Sequence, residues 1–144
     1  MLFRSRRYLG RISGPLLDRV DIRLNVRRIT AAQIRMARRG DRPTSASARS
    51  RIDAARARAR ERLRGTPWRL NGHVPGSWLR SPAGAPRRGA TAVLDRALER
   101  GGITMRGYDR VLRLAWTISD LDGVDRPDQD QVGRALLLRQ AAVA

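Results

Sequence analysis

Thr104-Met105-Arg106-Gly107-Tyr108-Asp109-Arg110-Val111-Leu112-Arg113-Leu114-Ala115-Trp116-Thr117-Ile118-Ser119-Asp120-Leu121 is the stretch that decides the fold class. Val111, Leu114, Ala115, Ile118 and Leu121 recur at the three- and four-residue spacing of one buried helix face. Thr104 stands where an N-cap belongs. On another side, Arg106, Arg110 and Arg113 fall at i, i+4 and i+7, within about 60° of arc at 3.6 residues per turn. Thr117 and Asp120 continue that row. Guanidiniums in one row repel each other, so the row calls for an anion or several carboxylates.

The helical period continues on both sides of this stretch. Downstream, Asp128 and Gln131 form a capping-box-like pair that opens a helix bearing Val132, Ala135, Leu136 and Leu138. Upstream, Val93, Leu94, Ala97 and Leu98 predict a helix from Thr91 to about Arg100, ended by Gly101-Gly102. Residues 66–89 are rich in Pro and Gly and read as a loop, which Trp68, Leu70, Val74, Trp78 and Leu79 are expected to pin to a core. Another helix is expected from a Ser45 or Ser47 cap to about Arg64, with Ile52, Ala55, Ala59 and Leu63 on one stripe and Gly65 as its stop. Its other faces carry Arg49, Arg51, Arg56, Arg58, Arg60 and Arg62. These are candidate nucleic-acid contacts, because phosphate binding requires mainly dense positive charge. A solvated basic face is the alternative.

Residues 30–46 read as a basic linker with a short helix around Ala31 to Arg38. Before it, Pro15 suits the first position of a helical turn containing Leu16, Leu17 and Val20. Asp21 to Val26 then alternates, with Ile22, Leu24 and Val26 on one face of a half-buried strand. A lone strand is unstable in water, so this one needs a sheet from other sequence. The fold expected is mostly α. Residues 47–144 form a small helical bundle, 30–46 a linker, and 1–29 a helix–strand edge of an α/β core.

Composition narrows the function. The net charge is +18, and all 31 cations are arginine, since the sequence contains no lysine. Anionic partners follow: nucleic acid, nucleotide phosphate or an acidic protein surface. A GC-rich genome explains a preference for arginine over lysine, but not the excess of positive over negative charge. Without cysteine there are no disulfides or thiolate metal sites. The single His73 has no carboxylate cluster beside it and reads as a turn residue, so no metal site is expected. No apolar run reaches the roughly 20 residues of a membrane span. No apolar segment follows the basic start, so the expected location is cytoplasmic.

Tyr8-Leu9-Gly10-Arg11-Ile12-Ser13-Gly14-Pro15-Leu16-Leu17-Asp18-Arg19-Val20-Asp21-Ile22 resembles a segment of the Mg-chelatase-like AAA+ ATPases of the ComM/YifB family. Ile103 to Leu121 is similar to that family's lid helix. Leu70-Asn71-Gly72-His73 and the loop Val74 to Arg80 are weaker matches. The resemblance implies that Arg19 is an arginine finger reaching the ATP site of a neighbouring subunit. A guanidinium supplied in trans offsets charge on the transferring phosphoryl group, an effect of roughly 10³–10⁵ in rate in other systems. By spacing alone, a surface ion pair of Arg19 with Asp18 or Asp21 is the competing reading. The resemblance also places a sensor-2 arginine, which touches the subunit's own nucleotide, among Arg106, Arg110 and Arg113. Arg106 is the first choice by its place at the helix start, and Arg110 the second. ATP and Mg are the family's cofactors. A homo-oligomeric ring, or a partner chain carrying the P-loop, is the implied assembly. The implied role is a DNA-acting motor, with branch migration during natural transformation.

The missing motifs shape the same expectation. A P-loop needs a lysine for the β/γ-phosphates, and there is none. No acidic pair follows an apolar strand to hold Mg. The chain alone is therefore expected to bind neither ATP nor Mg and to hydrolyse nothing. It is expected to start inside the ATPase core, as a truncated frame or one half of a split gene. The competing class is a stand-alone arginine-rich helical protein that binds nucleic acid without sequence preference. An adaptor using Trp68 and Trp78 as an interface ranks behind both. Nothing in the residues points to porphyrin metallation.

Overall fold

The computed structural model describes residues 16, 19–24, 28–37 and 43–140. Its elements are α1 (Ala31–Ala37), α2 (Ser45–Arg62), a 3₁₀ turn (Asn71–His73), α3 (Gly76–Leu79), α4 (Ala92–Glu99), α5 (Met105–Asp122) and α6 (Gln129–Gln140). The chain is mostly α, as its periodicity predicts, and there is no strand among the described residues.

The ends of α5 have clear local causes. Thr104 Oγ1 accepts the Gly107 N–H at its start. Gly123, at φ 75°, takes the left-handed conformation that ends it. At the start of α6 one half of the predicted capping pair forms. The Gln131 side chain accepts the Asp128 N–H, while Asp128 Oδ1 accepts from Asp130. For α2 the cap is Thr44, which accepts the Ser47 N–H, and not Ser45 or Ser47.

α5 is the axis of the bundle, packed against α6, α2, α3, α4 and the 3₁₀ turn. Val111, Ala115 and Ile118 are buried as expected, Leu114 and Leu121 of the same expected face are only half-buried, and Leu112, Trp116 and Ser119 are buried as well. A helix surrounded by partners buries more than one stripe. α4 contributes Leu94, and α6 contributes Val132, Ala135 and Leu136. The loop is pinned by Val74 and Leu79, while Trp68 and Trp78 are half-buried against the core. The Trp68 and Trp78 rings meet edge-on at 6.1 Å, and Trp78 lies 6.5 Å from Trp116. Trp116 Nε1 donates to the Gly84 carbonyl at 2.9 Å. Leu70 and Ile52, expected in the core, are instead 52% and 44% exposed.

The expected strand does not form over residues 21–24, and Asn25 and Val26 lie outside the described residues. With no sheet among the described residues, the segment finds other partners. The Arg23 N–H donates to the Leu138 carbonyl at 2.8 Å, one of the carbonyls that the last turn of α6 cannot satisfy itself. Ile22 and Leu24 remain 44% and 72% exposed.

Candidate functional site

The arginine row of α5 is real as a row, but its members have different surroundings. Arg106 is exposed at the first turn and forms no ion pair among the described residues. Arg110 is half-buried and pairs with Asp21, and its Nη1 also donates to the Arg19 carbonyl at 2.9 Å. Arg113 Nε donates to the Val74 carbonyl at 2.8 Å. Arg110 and Arg113 line a cleft of about 440 Å³ with Asp21, Ile22, Gly72, Leu114 and Thr117. Arg106 does not line it. A carboxylate from a distant part of the chain thus sits where the row calls for negative charge.

Arg19 itself is exposed, with its backbone held against the row through Arg110. Its side chain forms no ion pair among the described residues, and Asp18 lies outside them. Most of the motif around it, from Tyr8 to Pro15 with Leu17, also lies outside them. Arg139, on α6, donates to the Val20 carbonyl at 2.9 Å, so two helices grip this segment by its main chain.

The arginines of α2 divide. Arg49, Arg56 and Arg60 are exposed. Arg51 stands 4.0 Å from Asp122, and Arg58 Nη1 donates to the Asp120 carbonyl at 2.7 Å. Arg62 turns inward. It forms a two-pronged pair with the buried Asp120, reaches Asn71 Oδ1 at 2.7 Å, and lies 4.0 Å over the Trp116 ring. Asn71 Nδ2 completes the cluster by donating to Asp120 Oδ2 at 2.8 Å. Arginine density concealed this pair, because a helix with cations on every face gives no sign of which one is internal. The available signal was Asp120, an acid on a helix otherwise flanked by core positions.

Other carboxylates are also engaged. Asp109 pairs with Arg80. Asp122 pairs with Arg134, whose hydrogen bond holds the carboxyl below its usual range. The Tyr108 hydroxyl donates to Asp95 at 2.8 Å; burial first, then this carboxylate, push its pKa up to about 12. Among the described residues no group of three His, Asp or Glu side chains could hold a metal ion.

A family model described as magnesium chelatase, subunit ChlI C-terminal, matches residues 42–139. A second, magnesium chelatase, subunit ChlI, matches residues 3–34. The chain belongs to the magnesium chelatase ChlI family. The chain is 42% identical over 136 residues to an uncharacterized protein of Mycobacterium tuberculosis, covering 94% of this chain and 26% of that one. Competence protein ComM of Haemophilus influenzae is 30% identical over 131 residues, 90% of this chain and 24% of its own. YifB of Salmonella typhimurium, itself uncharacterized, is 28% identical over 134 residues, 92% of this chain and 25% of its own. The chain thus spans about a quarter of the length of the curated relatives it matches. No solved structure matches it. No helix of the described residues is long and apolar enough to cross a membrane.

Proposed function

We propose that this chain supplies the helical lid and the arginine-finger edge of a ring-forming AAA+ ATPase that acts on DNA. The observation that supports this reading is Arg19. Its side chain is exposed while its carbonyl is anchored to the α5 arginine row through Arg110. A finger must be presented outward yet held by a rigid element, since a small misplacement at a reacting centre is costly. Arg19 then serves a neighbouring subunit. Arg106, exposed at the start of α5, or Arg110, in the cleft, serves the subunit's own nucleotide. ATP and Mg would be held largely by a P-loop segment that this lysine-free sequence does not contain. The DNA role follows from the net charge of +18 and from the competence role named for ComM.

Reconstitution tests the proposal. The chain is mixed with a polypeptide carrying the P-loop portion of a relative, and ATP hydrolysis is followed with and without DNA. Hydrolysis is expected only in the mixture. Arg19→Ala is expected to lower it by roughly 10³ while the assembly still forms by size-exclusion chromatography. A wild-type mixture with no hydrolysis would overturn the reading.

A second reading, stand-alone binding of nucleic acid, has the outward Arg49, Arg56 and Arg60 of α2 in its favour. It requires a steep fall of affinity with salt, with log affinity falling by about one unit per tenfold rise in salt for each phosphate contact. A flat salt dependence removes it.

A further inference from the structure

Between α2, the 3₁₀ turn and α5 runs a groove of about 320 Å³, at the small end of the ~300–1,000 Å³ typical of ligand pockets. Its floor is small and nearly buried, with Ala55 and Ala59 at 7% and 8% exposure. Ile52 and Leu70 stand at its edge, 44% and 52% exposed. Leu121 and Thr117 contribute from α5. The one carboxylate in the lining, Asp120, is already satisfied by Arg62 and Asn71, so the groove asks for no polar ligand. The groove has one arginine in its lining, and the exposed acid Asp53 stands with Arg49, Ile52 and Arg56 on α2. Arg56 lines it, and Arg49, Arg60 and Arg69 are exposed on the same two elements or beside them.

We infer that this groove docks an acidic amphipathic helix of a protein partner. The apolar members of the lining are aliphatic and none of its residues is aromatic, so it offers no ring on which nucleic-acid bases stack. Aliphatic side chains at i, i+3 or i+4, and i+7 of a partner helix suit a groove that runs along a helix. Charge complementarity selects the rest of the partner. On a chain of net charge +18, with Arg56 in the groove's lining and more exposed arginines than acids on α2, Glu or Asp on the partner's flanks is attracted. A second copy of this chain would bring two arginine margins together and is disfavoured for that reason. Binding buries Ile52 and Leu70, while the arginines set orientation and encounter rate.

The test uses the full chain and a fluorescein-labelled Glu-rich peptide with Leu at i, i+4 and i+7, followed by fluorescence anisotropy. Two further probes are a peptide of the same composition with the Leu spacing scrambled and a single-stranded oligonucleotide of equal charge. The patterned peptide is expected to bind about tenfold or more tighter than the scrambled one, a difference of about 1.4 kcal/mol. Ile52→Ser with Leu70→Ser is expected to erase that preference. Both side chains are half exposed, so the melting temperature should stay unchanged. Arg49→Gln with Arg56→Gln and Arg60→Gln should weaken both peptides alike. Equal binding of patterned and scrambled peptides would overturn the inference. So would a preference that survives in the Ser variant, or an oligonucleotide whose binding alone depends on Ile52 and Leu70. None of these outcomes bears on the ATPase reconstitution, because the groove includes neither Arg19 nor Arg106, Arg110 or Arg113 and shares only Gly72 and Thr117 with the arginine cleft.

Discussion

Arg62 shows how one residue can carry more of the fold than its type suggests. Its side chain is 15% exposed and that of Asp120 3%, so both charges have largely left water. Such a pair is costly to break and adds little net stability to a chain that could have packed aliphatic groups there. Asp120→Ala leaves the Arg62 guanidinium buried beside Trp116 without its carboxylate. We expect a loss of about 3–5 kcal/mol in urea denaturation. Arg62→Met combined with Asp120→Leu should recover most of that loss, and a double variant no better than Asp120→Ala would contradict this account. Tyr108 makes a second prediction, concerning alkaline pH. Its folded-state pKa is raised to about 12 by burial and by Asp95, so the folded protein holds the phenolic proton more tightly than the unfolded chain does. The stability this represents is fully present below about pH 10 and is lost as pH rises through the folded value, by roughly 2–3 kcal/mol. Tyr108→Phe should flatten that part of a stability–pH curve. A wild-type curve that is already flat between about pH 10 and 12 would refute the assignment. Neither contact was legible in the sequence. Arg62 is one of many arginines on its helix, and Asp95 and Tyr108 belong to different helices that only packing brings together.

At the scale of elements, the positions of α2, α4, α5 and α6 follow from apolar spacing and capping residues within a few positions, because both act locally. α5 shows where such reading stops. Spacing marks Val111, Ala115 and Ile118 as its inner face, yet Leu112, Trp116 and Ser119 are equally buried, since neighbours surround the helix. α2 shows the opposite. Ile52 belongs to its apolar stripe, yet the elements packed on that helix do not reach far enough to cover it. The stretch before α4 read as a loop, yet it holds the 3₁₀ turn and α3, and its reason for holding one shape was not legible either. Gly84 is buried where a Cβ would stand 2.3 Å from the Trp78 carbonyl oxygen and 2.4 Å from its ring. Gly84→Ala should therefore cost about 1–3 kcal/mol or more, and weaken the Trp116-to-Gly84 hydrogen bond as the backbone shifts. Thermal denaturation together with near-ultraviolet circular dichroism of the tryptophans reads both. An alanine variant as stable as the parent would mean the loop can move aside at no cost.

For the whole molecule, the sequence by itself determined the helical class, the approximate places of the helices, the basic charge and the family resemblance. Each rests on local period, composition or a contiguous motif, all of which exist before the chain folds. Tertiary structure decided which charges face inward. It sent Asp21 to Arg110, Asp120 to Arg62 and Asp122 to Arg134, and left Arg19, Arg49, Arg56, Arg60 and Arg106 turned outward. It also set residues 21–24 against the end of α6 in place of a strand, because main-chain groups without a sheet take the partners that lie nearest. An arginine carries the same charge wherever it stands in the sequence. What it does depends on a carboxylate or carbonyl brought near by folding, and in this chain those partners lie up to 119 residues away along the sequence.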